Sequence, residues 1–477
     1  MNGFPLDRRT RIVAAAAVLS FAFAAWPTPI RAQASITYSP PDEFAGFVSA
    51  DGATIVGSDR TEIEPGWFTF SSFVKKNGVK TPLTLGGGYG FPVGVSADGN
   101  TVAGFEYDAN FRPRLWIWHD GDAGASPLLP EIAGIPWGLS ADGTTIVAYR
   151  EDGFDAHAFS YRNGVYTELS YPGAFSTLPY GGVSDDGSVS GGIVYAETQW
   201  QKPIVWDVAG NPTIVPFSGF ASQVDTVSGD GSAVAGIGWV WRIGDPSTSP
   251  LSFAPQFNNP QAFSYDGSIL VGSNEPSFGI GTAYVWKNGV ESVLQPPPGY
   301  ANAVAFSVSA DGFRIFGAAW NDDPNVRDAV VWQGDEGPQL LKDMLAAQGV
   351  TLGTQRLNQA YSSNPDGTVI LGNAVDLDST YQTFIAVLPL PPTPPEMVQN
   401  LIVKVEGAGL PNGVETSLVA KLIAAIDALE QGDLATATNK LTDFISQVNA
   451  LSGVLIPPAL AEELIADAEA ILEKLAS

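Results

Sequence analysis

The chain has 477 residues, 50 acidic against 23 basic side chains, a formal net charge of −27 and no cysteine. So acidic a balance argues against nucleic acid, whose backbone demands clustered Lys and Arg, and against docking on anionic lipid. The lack of cysteine removes disulfides, thiol redox chemistry and thiolate metal sites.

At the N-terminus, Arg8, Arg9 and Arg11 precede an apolar stretch from Ile12 to Trp26, and Ala32-Gln33-Ala34 fits the small-x-small cleavage rule. This predicts an export signal over residues 1–34 and a mature protein that is extracellular, held at the cell surface or periplasmic. No second apolar run is long enough to span a bilayer, so no integral membrane segment is expected after cleavage.

An eleven-residue pattern then recurs eight times. It reads VSADGATIVGS from Val48, and returns from Val95, Leu139, Val183, Val227, Phe263, Val308 and, in degenerate form, Ser363. A period of roughly 45 residues indicates a repeat architecture. Each copy ends one apolar run, turns at Asp-Gly and starts a second, which is a hairpin signal. The glycines, Gly52 and Gly99 among them, suit positive φ, and the aspartates bond nearby backbone N–H groups. The serine two residues before each aspartate helps close the turn, a place taken by Asn364 in the last copy.

A third apolar run follows each hairpin, often with an aromatic, as in Leu115-Trp116-Ile117-Trp118 and Ala283-Tyr284-Val285-Trp286. After a turn such as Asn163-Gly164 comes a short fourth run, Tyr166 to Leu169 for example. Four short strands per repeat predict the blade of a β-propeller. The eighth repeat has no fourth run, whereas Ile36-Thr37-Tyr38 stands unclaimed ahead of the first hairpin. Joining that strand to the last blade would close the ring and hide both sheet edges. The expected fold is therefore an eight-bladed β-propeller over residues 35–388. Seven blades is the alternative, with the last copy merely patching the closure.

The hairpins and the Ala-aromatic strand resemble the HAF repeats of secreted bacterial proteins, and His157-Ala158-Phe159 spells the motif. The resemblance implies a secreted repeat protein and carries no defined activity. Lys75, where an aromatic is expected, and Ala148, where the hairpin normally closes on glycine, depart from the pattern.

Composition changes at Pro389-Leu390-Pro391-Pro392-Thr393-Pro394-Pro395, which predicts a semi-rigid linker over residues 389–395. Beyond it, a small all-α domain is expected over residues 396–477. Leu418, Leu422, Ala425, Ile426 and Leu429 fall at helical spacing, as do Leu441, Phe444, Ile445 and Val448. Asp433 is placed to cap a helix from Leu434, Gly432 to stop the one before, and Pro457-Pro458 to open the last. A shorter helix, Glu396 to Val405, comes first. This segment resembles the FIMAH domain through Leu410-Pro411-Asn412-Gly413, the run Ser417 to Leu422, the run Leu441 to Val448, and the run Ala461 to Ala468. The resemblance implies an accessory or interaction domain without established catalysis.

Chemistry-bearing motifs are scarce. His119 and His157, the two histidines, sit in no metal-type pair and near no nucleophile motif. No phosphate loop or dinucleotide fingerprint is present. An aspartate that recurs in every hairpin reads as turn structure rather than as a catalytic dyad. Asn321-Asp322-Asp323 and Asp376-Leu377-Asp378 are the oxygen clusters on which a calcium ion would fall, and neither matches a calcium-loop motif. No catalytic, cofactor or metal residue is assigned. The loops opposite the Asp-Gly turns are rich in aromatics: Trp67, Phe68, Tyr89, Phe91, Tyr107, Phe111, Trp137, Tyr171, Tyr180, Trp200, Phe278, Tyr300 and Trp320. Such rings suit stacking on sugars or gripping a peptide. The expected function is a non-catalytic, exported protein that binds an extracellular glycan or protein. The alternative is an extracellular polysaccharide hydrolase or lyase using loop carboxylates on the propeller face.

Overall fold

The computed structural model describes residues 33–129, 132–197, 199–219, 222–251, 258–277, 280–334, 336–376 and 380–476; the export signal expected over residues 1–34 lies almost wholly outside them. The chain divides into two compact units, Met1–Pro389 and Leu390–Ser477.

In the first unit each hairpin follows one course. For the third, strands Gly134–Leu139, Thr145–Asp152, Asp155–Arg162 and Val165–Glu168 pair antiparallel in sequence order. Between the last two, Asn163 and Gly164 both take positive φ (48° and 88°), the backbone of a tight turn that matches strand twist. Among the described residues the strands make six four-stranded sheets and one of eight. The eight-stranded sheet joins the first two hairpins through a single parallel bridge, Phe70 to Tyr89. One cavity of about 450 Å³ is lined by residues from the first strand of all eight repeats, which makes these strands the inner wall of a ring. The unit is a β-propeller.

The last sheet is completed from the other end of the chain. Ser35–Tyr38 pairs with Tyr381–Val387, Ser35 opposite Val387 and Tyr38 opposite Phe384. Ile36 and Tyr38 pack on the core around Phe316, Leu357, Ile370 and Phe384. The spare strand expected from the sequence takes this place, because an unpaired edge would leave a row of open N–H and C=O groups.

The inner strands bulge at one recurring position, shown by register shifts at Ala45/Phe47, Pro92/Gly94, Pro136/Gly138, Pro260/Ala262 and Ala305/Ser307. This accounts for the glycine that ends each hairpin motif. A Cβ on Gly57, Gly104, Gly192, Gly317 or Gly372 would lie 1.9–2.5 Å from an inner-strand carbonyl oxygen. The third repeat has Ala148 there, fully buried opposite Pro136.

Tryptophans on the third strands fill the space between sheets. Trp206, Trp241 and Trp332 are buried, and their indole N–H groups donate to the carbonyls of Ser170, Asp245 and Gln295 at 2.8–3.0 Å. In the first repeat Lys75 stands at that position, and its ammonium lies 3.6 Å from the buried Glu43 carboxylate. Lys80 also binds Glu43, at 2.7 Å, so an ion-paired cluster replaces an indole. One helix, α1 (Leu341–Ala347), interrupts the strands and buries Leu341 and Leu345.

The second unit holds α2 (Pro394–Gly407), α3 (Asn412–Glu430), α4 (Leu434–Leu451) and α5 (Pro458–Ala476). Their apolar faces meet in one core containing Val398, Leu401, Leu418, Leu422, Leu441, Phe444, Val448, Leu464 and Ile471. Asp433 accepts from the Thr436 N–H at 3.0 Å, the cap expected for α4, and Gly432 has φ 72°. The first helix starts two residues earlier than the composition suggested. Thr393 and Glu396 form a capping box, and Pro394 and Pro395 occupy the first turn, where a missing N–H costs nothing.

Candidate functional site

The Asp-Gly turns are the most repeated feature, and their geometry is that of a scaffold. All eight glycines have φ between 63° and 74°. In the first turn Ser49 Oγ donates to Asp51 Oδ1 at 2.6 Å and accepts from Thr54 N at 3.0 Å, while Asp51 Oδ1 accepts from Ala53 N at 2.9 Å. The same three bonds recur around Ser228–Asp230 and Ser309–Asp311. These donors hold the Asp51 and Asp98 carboxyls below the usual range, the serine hydroxyl contributing most. A carboxylate so occupied is a poor general base.

The turns are also joined to one another. Ala50 N donates to Ala97 O, Ala97 N to Ala141 O, Asp142 N to Asp185 O, and Asp185 N to Gly229 O. Asp230 N then donates to Tyr265 O, Tyr265 N to Ala310 O, and Ala310 N to Pro365 O, all at 2.6–2.9 Å. Proline has no N–H to continue the chain. Asn364 supplies the missing donor, its Nδ2 reaching Ala50 O at 2.9 Å while its Oδ1 accepts from Val369 N at 2.8 Å as a serine would. The degenerate eighth copy thus closes the ring.

The other candidates are separate from one another. His119 Nδ1 is 3.7 Å from Asp122, and His157 Nδ1 is 3.9 Å from Glu168, in different repeats. Asn321 Oδ1 accepts from Ala301 N and its Nδ2 donates to Gly299 O, while Asp323 accepts from Asn325 N. Asn321 thus ties its loop to the Gly299–Ala301 turn, and Asp323 shapes its own loop. Of the second oxygen cluster, Leu377 and Asp378 lie outside the described residues. Among the described residues no three His, Asp or Glu side chains converge as a metal site would require.

The aromatic rim is partly as expected. Trp67 is 66% exposed, Phe111 76% and Trp137 42%. Trp320 is buried instead (1%), under the Arg327 guanidinium at 4.2 Å, because its strand, Arg314–Trp320, is buried along its whole length. Phe278 and the side chain of Trp200 lie outside the described residues. Phe154, fully exposed, was missed; it follows Asp152-Gly153 at the tip between second and third strands.

Several of these rings are neighbours. Phe70, Phe91, Phe105 and Tyr107 follow one another at centroid separations of 5.3–5.9 Å. Trp137 lies 6.4 Å from Tyr149 and 4.9 Å from Tyr180, and its Nε1 donates to the Tyr180 carbonyl at 2.7 Å. In the fourth repeat, Tyr195 sits 6.3 Å from Phe175. Nine rings of the first four repeats thus stand in three clusters: Phe70 to Tyr107, Trp137 with Tyr149 and Tyr180, and Phe175 with Tyr195. Burial, aided by Glu151 at Tyr149 and by Tyr195 at Tyr180, pushes both phenols up, so both remain hydrogen-bond donors at neutral pH.

Comparison with known proteins bears on each unit separately. Residues 400–473 match the FIMAH domain. The matched segment holds most of α2 to α5, and the expected resemblance there is met. No curated protein matches the chain. Solved structures similar to it include the β-propeller domain of the Trilobed protease from Pyrococcus furiosus, with 8% identity, a TM-score of 0.41, 74% of this chain and 95% of that one covered. TolB from Acinetobacter baumannii overlaps at 12% identity and a TM-score of 0.32, over 72% of this chain and 65% of that one. The acylaminoacyl peptidase of Pyrococcus horikoshii overlaps at 8% and 0.41, over 73% and 52%. No helix among the described residues is long and apolar enough to cross a membrane.

Proposed function

We propose that this chain is an exported, non-catalytic binding protein that holds a glycan against the aromatic cluster around Trp137 of its propeller. In this reading residues 1–34 are the export signal and residues 35–388 form eight blades of HAF-like repeats. Residues 389–395 link them to an accessory FIMAH-like domain over residues 396–477. The observation that carries the proposal is the Trp137 cluster: an indole 42% exposed, with the Tyr149 and Tyr180 rings 6.4 and 4.9 Å away. Flat apolar faces edged by hydroxyls are what a sugar ring, apolar on its faces and polar at its rim, stacks against. No observation favours a hydrolase or lyase. Glu106, the carboxylate between Phe105 and Tyr107, is buried and already accepts from Thr84 Oγ1, Leu85 N and Gly87 N.

Titration of the mature protein with a panel of soluble oligosaccharides tests this. Binding is expected, with Trp137→Ala weakening it by about tenfold or more, the scale of one lost stacking ring, at little cost in Tm. Binding untouched by Trp137→Ala and Tyr149→Ala, or no binding at any concentration, overturns the proposal.

A further inference from the structure

One register position plugs the gap between neighbouring sheets: the third-strand residue opposite the third residue after each Asp-Gly turn. It is Trp118, Trp206, Trp241, Trp286 or Trp332 in five repeats and Tyr161 in another. The first repeat has Lys75 there and the last has Ala386. Beside Ala386 the chain supplies a substitute, because Leu341 and Leu345 of α1 are buried in the same core. Beside Lys75 a cavity of about 380 Å³ remains, at the seam where the first and last sheets meet.

Ile55, which pairs with Lys75, shows the missing cover. The residues at its place in the other seven repeats, from Val102 to Ile370, are at most 5% exposed, whereas Ile55 is only half-buried and lines the cavity with Ile385. The polar wall also follows the pattern of the filled positions. Trp206 and Trp332 donate to Ser170 and Gln295, which come just after the fourth strand of the preceding sheet. Ser39 holds that place here and lines the cavity. Lys75 is the one charged residue among the described lining residues, in a chain whose net charge is −27. Its ammonium stands 3.6 Å from Glu43, whereas Lys80 sits at 2.7 Å from Glu43 and 2.6 Å from Asp59. Lys75 is therefore the looser partner, and an anion in the cavity can draw it away without leaving Glu43 unpaired.

We infer that this seam binds a planar aromatic carboxylate, its ring in the place of the missing indole and its carboxylate on the Lys75 ammonium. The indoles of the other repeats set the size of the ring, and Lys75 sets the charge. Pockets for small molecules span about 300 to 1,000 Å³, and this cavity lies at the small end, as a single bicyclic ring requires. The site shares no residue with the cluster around Trp137, so either can fail without the other.

The test is titration calorimetry of the mature full-length protein with indole-3-acetate, indole and tryptamine, which share a ring and differ in charge, with Tm followed alongside. Indole-3-acetate is expected to bind about tenfold or more tighter than tryptamine, and to raise Tm. Lys75→Trp restores the residue of the other repeats and fills the cavity, so it is expected to abolish binding of all three. Lys75→Met removes the charge and leaves the space. It is expected to bind indole as before and indole-3-acetate about tenfold more weakly. Should Lys75→Trp fail to fold, Lys75→Met decides. Indole-3-acetate binding that survives either substitution unchanged, or tryptamine binding as tight as that of indole-3-acetate, overturns the inference. So does an equal loss in Lys287→Met, an exposed lysine of the sixth repeat, or failure of all three compounds to bind.

Discussion

The two units keep their shape by opposite means. The helical unit satisfies its backbone within each helix, and its four helices need only bury an apolar stripe around Leu418, Leu441, Phe444 and Leu464. The propeller satisfies its backbone between segments that are distant in sequence. Its turn ring joins residues about 45 positions apart and closes from Asn364 to Ala50, and its last sheet joins Ser35 to Val387. Local order makes a unit tolerant of losing its surroundings. A closed ring makes every joint depend on the others.

The sharpest way to break that contrast is to open the ring. A chain beginning at Pro40 loses the Ser35–Tyr38 strand, the packing of Ile36 and Tyr38, and the exchange between Ser39 and Thr383. Destabilisation of the propeller by about 3 kcal/mol or more is expected from the lost bonds and buried side chains. Residues 390–477 expressed alone should keep their helical circular dichroism. A melting curve in which both units fail together, or a disordered fragment, would contradict the comparison.

A single atom offers the next test. Gly192→Ala places a Cβ 2.0 Å from the Leu178 carbonyl oxygen at a buried strand position, and a loss of about 1–3 kcal/mol is expected in chemical denaturation. In the helical unit Gly413 has open space around its Cβ position, so Gly413→Ala should be neutral or slightly stabilising. Equal effects at the two glycines would remove the steric account of the motif.

The smallest effects concern one hydrogen bond in each unit. Asn364→Ser restores the motif residue of the other seven copies, yet it removes the side-chain donor to Ala50 O beside a proline. It should therefore cost about 1 kcal/mol despite moving toward the repeat consensus. Asp433→Ala, which removes the cap on Thr436 N, should cost about the same and be measurable in the isolated helical fragment. If Asn364→Ser stabilises the protein, the closing bond carries no weight.

What each kind of residue announced follows from how far its partner lies along the chain. Asp-Gly turns, the serine two residues before them, the Asn163-Gly164 turn and the Asp433 cap act within a few residues, so spacing alone revealed them. The Ser35–Tyr38 strand was legible because one repeat lacked a strand and the chain had one left over. The reason for the glycine ending each hairpin was not, since it lies in a bulge on the neighbouring strand that brings a carbonyl over its Cα. Nor was the fate of the rim aromatics. Trp67, Trp137 and Trp320 read alike as sequence, but exposure depends on which sheet packs against them, and only Trp320 is covered. The sequence alone determined the repeat, the turns and the helical stripe, because those rest on local geometry and periodicity. Only ring closure decided which side chains face one another across repeats.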